Sequence, residues 1–416
     1  MVLHMNKNLA TELHQSLVNE NQRFNQQLIL NPVENVFNSK YYDTNLAFLH
    51  GIYNSDKIRS ADQMLNTKIQ FANREFVASD INKVYQAWCK LLNSEAISMR
   101  FFSGLHAHTT VFMAITEIGD NVVILPEKAG GHMATKAILS RLGLNVYELI
   151  IDYEQMRIDI EKSCDLIVQV NPKVIFIDRS EGTIYEDFSW LKQFKNSYKI
   201  FDASQYLTNI ISGDYISPFE QGFDAILSTT HKNFPGPQRA LYCTKKIDSM
   251  WEKLYSQIGT YVSNMHPYSI YTLGFMLEDL DYFRNISKNM IDNAINLSKE
   301  LRKTGFDIIT QKQVNKTEKN THHIWACFPD KKAAFSAYKC WEKYGFLTNY
   351  RLLPYDIGYG IRMGLSAATV SGLRTADISS LALLLYRCQQ KEESETILQD
   401  EINDFILKIK ENNSDK

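Results

Sequence analysis

The feature that most limits the fold is a rhythm. Short runs rich in β-branched and aromatic residues, at 122–125, 146–151, 174–177, 199–201 and 225–227, alternate with helical patterns such as 109–116 and 135–144. Strands separated by helices return through crossovers rather than hairpins, so they pair in parallel and are covered on both faces. The expected fold class is therefore α/β. Upstream, 6–28 reads as a polar, Asn/Gln-rich helix ending before Asn31-Pro32, and 41–75 carries no usable period. From 79 to 92 the pattern puts Ile81, Val84, Tyr85, Trp88 and Leu91–Leu92 on one helical face. A long helical pattern at about 275–305 leads into a second α/β section, roughly 305–390, with a strand at 324–328. The end, 391–416, reads as a charged surface helix that frays.

Composition excludes several classes. The 416 residues allow two or three domains, and 44% apolar with 22% charged residues is ordinary for a chain with a sizeable core. A net charge of −2 without a block of one sign leaves no nucleic-acid footprint. The longest apolar stretches, such as 381–386, fall far short of the ~20 residues of a spanning helix. The N-terminus lacks the apolar core of a signal peptide. Six scattered cysteines (Cys89, Cys164, Cys243, Cys327, Cys340, Cys388) contain no C-x-x-C pair, which argues against a disulfide scaffold or zinc ribbon and fits a reducing compartment. The expectation is a cytoplasmic protein with no membrane partner and no metal.

Ligands of open parallel sheets sit beyond the carboxyl ends of the strands, so the residues there are the ones to read. Asp202 follows the run at 199–201, and Ser228-Thr229-Thr230-His231-Lys232 follows 225–227, before Gly236-Pro237. Ser103-Gly104-Leu105 precedes a helix, and Gly130-Gly131-His132 comes after 122–125. Alone, each has a plain structural reading as a cap, a turn or a strand end. Jointly they describe one cofactor. A Ser-Gly helix start offers N–H groups and a hydroxyl to a phosphate, a carboxylate keeps a pyridine nitrogen protonated, and a lysine forms an imine with an aldehyde. Those three needs are the needs of pyridoxal 5'-phosphate.

At these residues the sequence resembles the serine hydroxymethyltransferase family of homodimeric, fold-type I pyridoxal-phosphate enzymes, over about 28–385. Thr229-Thr230-His231-Lys232…Gly236-Pro237 resembles its T-T-H-K…G-P lysine motif, and Ser103-Gly104 with Thr110-Val111-Phe112 its S-G-S loop and helix. Gly130-Gly131-His132 resembles the segment whose imidazole stacks on the cofactor, Ser180 a cofactor-contacting serine, and Asp202 the pyridinium partner. Gly360-Ile361-Arg362-Met363-Gly364 resembles G-I-R-x-G, whose arginine grips the substrate carboxylate, a task suited to a bidentate guanidinium. Glu34-Asn35 after Leu30-Asn31-Pro32 resembles S-E-N. The resemblance implies an aspartate aminotransferase-like large domain with a mainly parallel sheet and a smaller C-terminal α/β domain. Its expected divisions are an N-terminal arm (1–60), a cofactor-binding domain (61–270), a C-terminal domain (271–390) and a charged tail (391–416). It further implies that Lys232, His231 and His132 are catalytic. Ser103, Gly104, Leu105, His132, Ser180, Asp202, Gln205, Thr229 and Lys232 would hold the cofactor, and Arg362 and Glu34 the substrate.

The departures bear on the reaction. Val33 replaces the serine of S-E-N, Leu105 the second serine of S-G-S, and Gln205 a histidine beside the cofactor's phenolic oxygen. The arginine of G-P-R is Gln238, with Arg239 beside it. The loop 354–360 is several residues shorter than the family's pterin-contacting loop, and Glu127 stands where an apolar leucine is expected. The segment carrying the family's acid/base glutamate and cross-subunit tyrosines has no clear counterpart. The nearest material is His50-Gly51-Ile52-Tyr53 or Gln70-Phe71-Ala72-Asn73-Arg74-Glu75. The leading expectation is an enzyme acting at Cα of a small amino acid by aldol-type Cα–Cβ chemistry without folate, a homodimer with shared sites. The alternatives are folate-dependent glycine/serine hydroxymethyl transfer, a transaminase or racemase, or a catalytically silent member.

Overall fold

The β-branched runs pair as parallel strands of one sheet. The computed structural model describes residues 9–54, 74–390 and 394–414. Its large sheet contains β1 (Ala96–Phe101), β2 (Asn121–Ile124), β3 (Asn145–Glu148), β4 (Val174–Ile177), β5 (Tyr198–Asp202), β6 (Ala225–Thr229) and β7 (Ala240–Thr244). The order is β1-β7-β6-β5-β4-β2-β3, with β7 antiparallel to both neighbours and the rest parallel. Residues of β4, β5 and β6 are all buried. Alternate side chains serve opposite faces: Ile175, Ile177, Phe201 and Ile226 enter one apolar cluster, and Val174, Phe176, Ile200 and Leu227 another.

Helix Glu75–Leu92 buries Val77, Ile81, Trp88 and Leu92, the face its period predicts, and stops at Asn93 in left-handed conformation. A second, antiparallel sheet joins β8 (Asp307–Ile309), β9 (His323–Cys327), β10 (Asn349–Leu353) and β11 (Gly358–Gly364) in the order β8-β9-β11-β10. Leu28–Ile29 pairs in parallel with Phe346–Leu347, so the chain just after the N-terminal helix packs with the C-terminal sheet. The C-terminal segment corrects an expectation. Helix Glu395–Ser414 does not fray from the surface; Leu398, Ile402, Ile406 and Ile409 are buried in the apolar cluster of the second sheet. Its charged residues hide an apolar stripe at 3.6-residue spacing. Among the described residues, no helix is long and apolar enough to cross a membrane.

Candidate active site

The carboxyl ends of β4, β5 and β6 open into a cleft of about 240 Å³. Its walls include Ser103, Gly104, Leu105, His132, Ser180, Asp202, Thr229, His231 and Lys232, residues far apart in sequence. Each is delivered by a strand end or a helix start.

Ser103 caps helix Gly104–Ile115, its Oγ accepting from His106 N at 3.2 Å, so the helix begins at the cleft rather than at 109. A Cβ on Gly104 would stand 2.9 Å from Thr229 Cγ2, so only glycine lets the helix start approach β6 this closely. One turn further, His108 is buried and its Nε2 lies 2.8 Å from Asp202 Oδ2. The other oxygen, Oδ1, accepts from Ser204 N at 2.8 Å. Burial works to raise the Asp202 pKa, but the His108 hydrogen bond and charge, the Ser204 N–H and Lys232 outweigh it and hold the carboxyl below its ordinary range.

Beyond β6 the chain folds back in a turn, with Gly236 N donating to Thr230 O at 2.8 Å, and this aims Lys232 into the cleft. The Lys232 carbonyl accepts from Asn35 Nδ2 at 2.7 Å, which gives the N-terminal motif a role in positioning the lysine. Burial lowers the Lys232 amine's pKa; Asp202 pulls it up, and Arg362 lowers it further. His231 and His132 are held down to about 4, chiefly by burial, so both rings are neutral at physiological pH. Asp178, fully buried, accepts from Thr135 Oγ1 and, at 3.3 Å, from His132 N, fixing the turn that carries His132.

Three expected residues, Glu34, Gln205 and Arg362, are not among those lining the cleft. Glu34 is exposed and accepts from Asn31 Nδ2 at 2.9 Å. Gln205 is buried but does not line the cleft: its amide donates to Pro32 O at 3.1 Å and faces His323 Nε2 at 3.2 Å. Arg239 is structural, donating to Met265 O at 2.8 Å and His266 O at 2.6 Å. Of the two segments nearest to the family's glutamate region, 70–73 lies outside the described residues, and Tyr53 is not among the residues lining the cleft.

Other residues were not foreseen. His108 is one; the helical period that buries Ala107 and Val111 also turns it inward, a signal present in the sequence. Arg179 is another. It pairs with buried Glu186 and donates to Ala129 O at 2.6 Å and Tyr355 Oη at 3.0 Å. Tyr355 N in turn donates to Lys128 O at 2.6 Å, so the short 354–358 loop is fastened onto the turn before His132. Arg362, by contrast, was expected from the G-I-R-x-G motif; on β11 it is buried, with Nη1 3.5 Å from the carbonyl of Ser180, which lines the cleft.

The donor set suits pyridoxal phosphate. It offers an amine, a fixed carboxylate, a neutral imidazole and a glycine-tight helix start, with Thr229 Oγ1 and His231 Nδ1 buried and without partners among the described residues. Comparison with known proteins agrees. The family model for serine hydroxymethyltransferase matches residues 7–385. The serine hydroxymethyltransferase of Picrophilus torridus is 27% identical over 332 residues, 76% of this chain and 75% of that one. That of Thermoplasma volcanium is 25% identical over 351 residues, 80% of this chain and 81% of its own. The crystal structure of L-threonine transaldolase from Pseudomonas fluorescens superimposes with a TM-score of 0.85 at 18% identity, covering 96% of this chain and 92% of that one. This last likeness establishes the fold, and the match over nearly the whole length establishes the kinship: the chain belongs to the serine hydroxymethyltransferase family and is a pyridoxal-phosphate-dependent enzyme.

Proposed function

We propose that the chain makes or breaks the Cα–Cβ bond of a small amino acid without folate. The observation that carries this reading is the ionic character of the surroundings of Ser180, which lines the cleft. Exposed Glu127, buried Glu181 and Arg351 cluster there, and the 354–358 loop is pulled onto Lys128. Carboxylates make a poor bed for a flat apolar ring. The fold shared with a threonine transaldolase is consistent with this reading.

Bound pyridoxal phosphate would supply an electron sink for charge developing at Cα. The protein's own groups do the rest. Lys232, whose amine burial shifts towards its neutral form, would hold the cofactor. Ser103 and the N–H groups of the Gly104 helix start would take the phosphate, at the positive end of the helix dipole. Asp202, kept ionised by His108, would hold a proton on the ring nitrogen. His132 would cover the ring and His231 flank the substrate. Arg362 would fix the α-carboxylate, and Ser180 and Thr229 complete the walls.

Reconstitution with pyridoxal phosphate should give a visible absorbance band that borohydride abolishes and that Lys232→Ala lacks. Aldehyde release from L-threonine should then proceed without tetrahydrofolate. An inert holoenzyme that turns over serine only when tetrahydrofolate is added would favour the second reading, hydroxymethyl transfer, which the names of the curated relatives support. The enzyme would work as a cytoplasmic homodimer with shared sites. Helix Leu9–Asn25 buries none of its residues and exposes Leu9, Leu13 and Leu17 on one side, as a segment covered by a second copy would. Six free cysteines suit a reducing compartment.

A further inference from the structure

Behind Ser180 sits a buried carboxylate that the reaction proposed above does not use. Glu181 is buried, and neither of its oxygens has a hydrogen bond of acceptable geometry among the described residues. Two arginines face it. Arg351 Nη1 lies 2.8 Å from Oε1, and Arg362 Nη1 lies 3.8 Å from Oε2. The two arginines come from adjacent strands. Arg351 on β10 is registered with Gly360 on β11, two residues before Arg362, so the guanidinium-bearing side chains share one face as diagonal neighbours. Like charges so placed repel unless an anion lies between them.

The anion is unequally shared. The short contact assigns Glu181 to Arg351. Among the described residues, Arg362 keeps a buried Nε without a partner and an Nη1 whose hydrogen-bond acceptor, Ser180 O, stands at 3.5 Å. Two positive groups and one fixed negative group leave room for one more negative charge, at Arg362. A second one would meet Glu181 itself, with Glu127 adding to the repulsion, since its charge is felt at Glu181.

We propose that Glu181 is a specificity-determining residue: by occupying Arg351 it restricts this end of the cleft to substrates bearing a single carboxylate, and it excludes dicarboxylic amino acids. The proposal rests on the reading that Arg362 takes the α-carboxylate.

The test compares L-alanine with L-aspartate, which differ by one carboxylate on Cβ, in binding to the holoenzyme followed by its visible spectrum. In the wild type, alanine binds and aspartate binds weakly. In Glu181→Gln, Arg351 is released, and the aspartate-to-alanine affinity ratio rises by about tenfold or more, the equivalent of one charge-assisted hydrogen bond. Adding Arg351→Gln to that variant removes the gain. Arg351→Gln alone leaves Glu181 to compete for Arg362, and alanine binding weakens several-fold; this arm keeps the test alive if Glu181→Gln fails to fold. An unchanged ratio in Glu181→Gln, with alanine binding still dependent on Arg362, overturns this proposal alone. Alanine binding that survives Arg362→Gln overturns the carboxylate reading and this proposal with it. An unaltered alanine affinity in Arg351→Gln also counts against the proposal.

Discussion

Replacing His108 tests whether Asp202 is tuned from behind. A carboxylate only accepts, so the 2.8 Å contact requires the proton of His108 to be on Nε2. The bond is buried and charge-assisted, worth about 1.5–3 kcal/mol net. His108→Phe preserves the volume, and its ring can keep the edge-on packing against Phe176, where the centroids are 4.9 Å apart. What is lost is one of the two donors that oppose burial at Asp202; the Ser204 N–H at 2.8 Å remains. The carboxylate is then less able to hold a proton on the cofactor ring. If the whole bond energy is felt there, pyridoxal-phosphate affinity at neutral pH falls by about 10- to 150-fold. The pH dependence has a defined sign. A depressed folded-state pKa gives stabilisation that is present above the ordinary aspartate range and lost as pH falls through the folded value. In His108→Phe the folded-state pKa rises, so that stabilisation shrinks, and cofactor affinity that needs the ionised carboxylate begins to fall at a higher pH. Titration of the apoprotein with cofactor across pH, followed by absorbance, measures both effects. A variant that binds within about twofold of wild type, while Asp202→Ala does not bind, would refute the reasoning, since twofold is well below what such a bond contributes.

Three further outcomes are expected. Because His132 and His231 are lowered from 6.5 to about 4, the unfolded chain binds more protons between those values, and stability drops on acidification across that window. Melting temperatures of a His132→Phe/His231→Phe double variant should fall less steeply there. Gly130→Ala should destabilise by more than the ~1–2 kcal/mol of left-handed backbone strain, because φ is +88° and the new Cβ would overlap the Glu181 carbonyl. The control is Gly213→Ala, with φ +79° and open space, which costs only the backbone share by urea unfolding. Ile406→Ala, in the C-terminal helix, should cost about 2–5 kcal/mol as a fully buried deletion, whereas a frayed tail would show no change in the urea midpoint.

What the sequence disclosed follows from where its periodicity is strong. The inner strands β2, β4, β5 and β6 are β-branched or aromatic and buried on both faces, so each stands out as an apolar run. The strands β1 and β7 carry Ser98 and Arg100 in one and Tyr242 and Thr244 in the other, and do not read as runs. Their polar groups are satisfied only in three dimensions, as Arg100 is by Val262 O at 2.7 Å. In the cleft, motif residues that strand ends deliver to its walls were legible. Glu34 and Gln205 were misplaced because motif position gives proximity to a site and not side-chain direction. Arg351, Glu181 and Arg179 were illegible for another reason. Each gains meaning from a partner on a different element, and R-S-E-G alone reads as a polar turn.

The buried charges divide along the same line. Around Lys232, two buried charges have a partner of opposite sign: Asp202 has His108 behind it and the lysine amine in front, and Arg179 has Glu186. A buried ion left alone is costly, so this part of the protein is set before any amino acid arrives. Arg362 differs. Burial pushes its pKa down to about 10, which still leaves it charged at neutral pH, and the carboxylate beside it, Glu181, is held more closely by Arg351. If Arg362 takes the substrate's carboxylate as proposed, that group would be a missing structural element as well as a ligand. The site would therefore discriminate strongly against amines that lack a carboxylate, because their binding would cover the cleft and leave the guanidinium desolvated without its counter-charge.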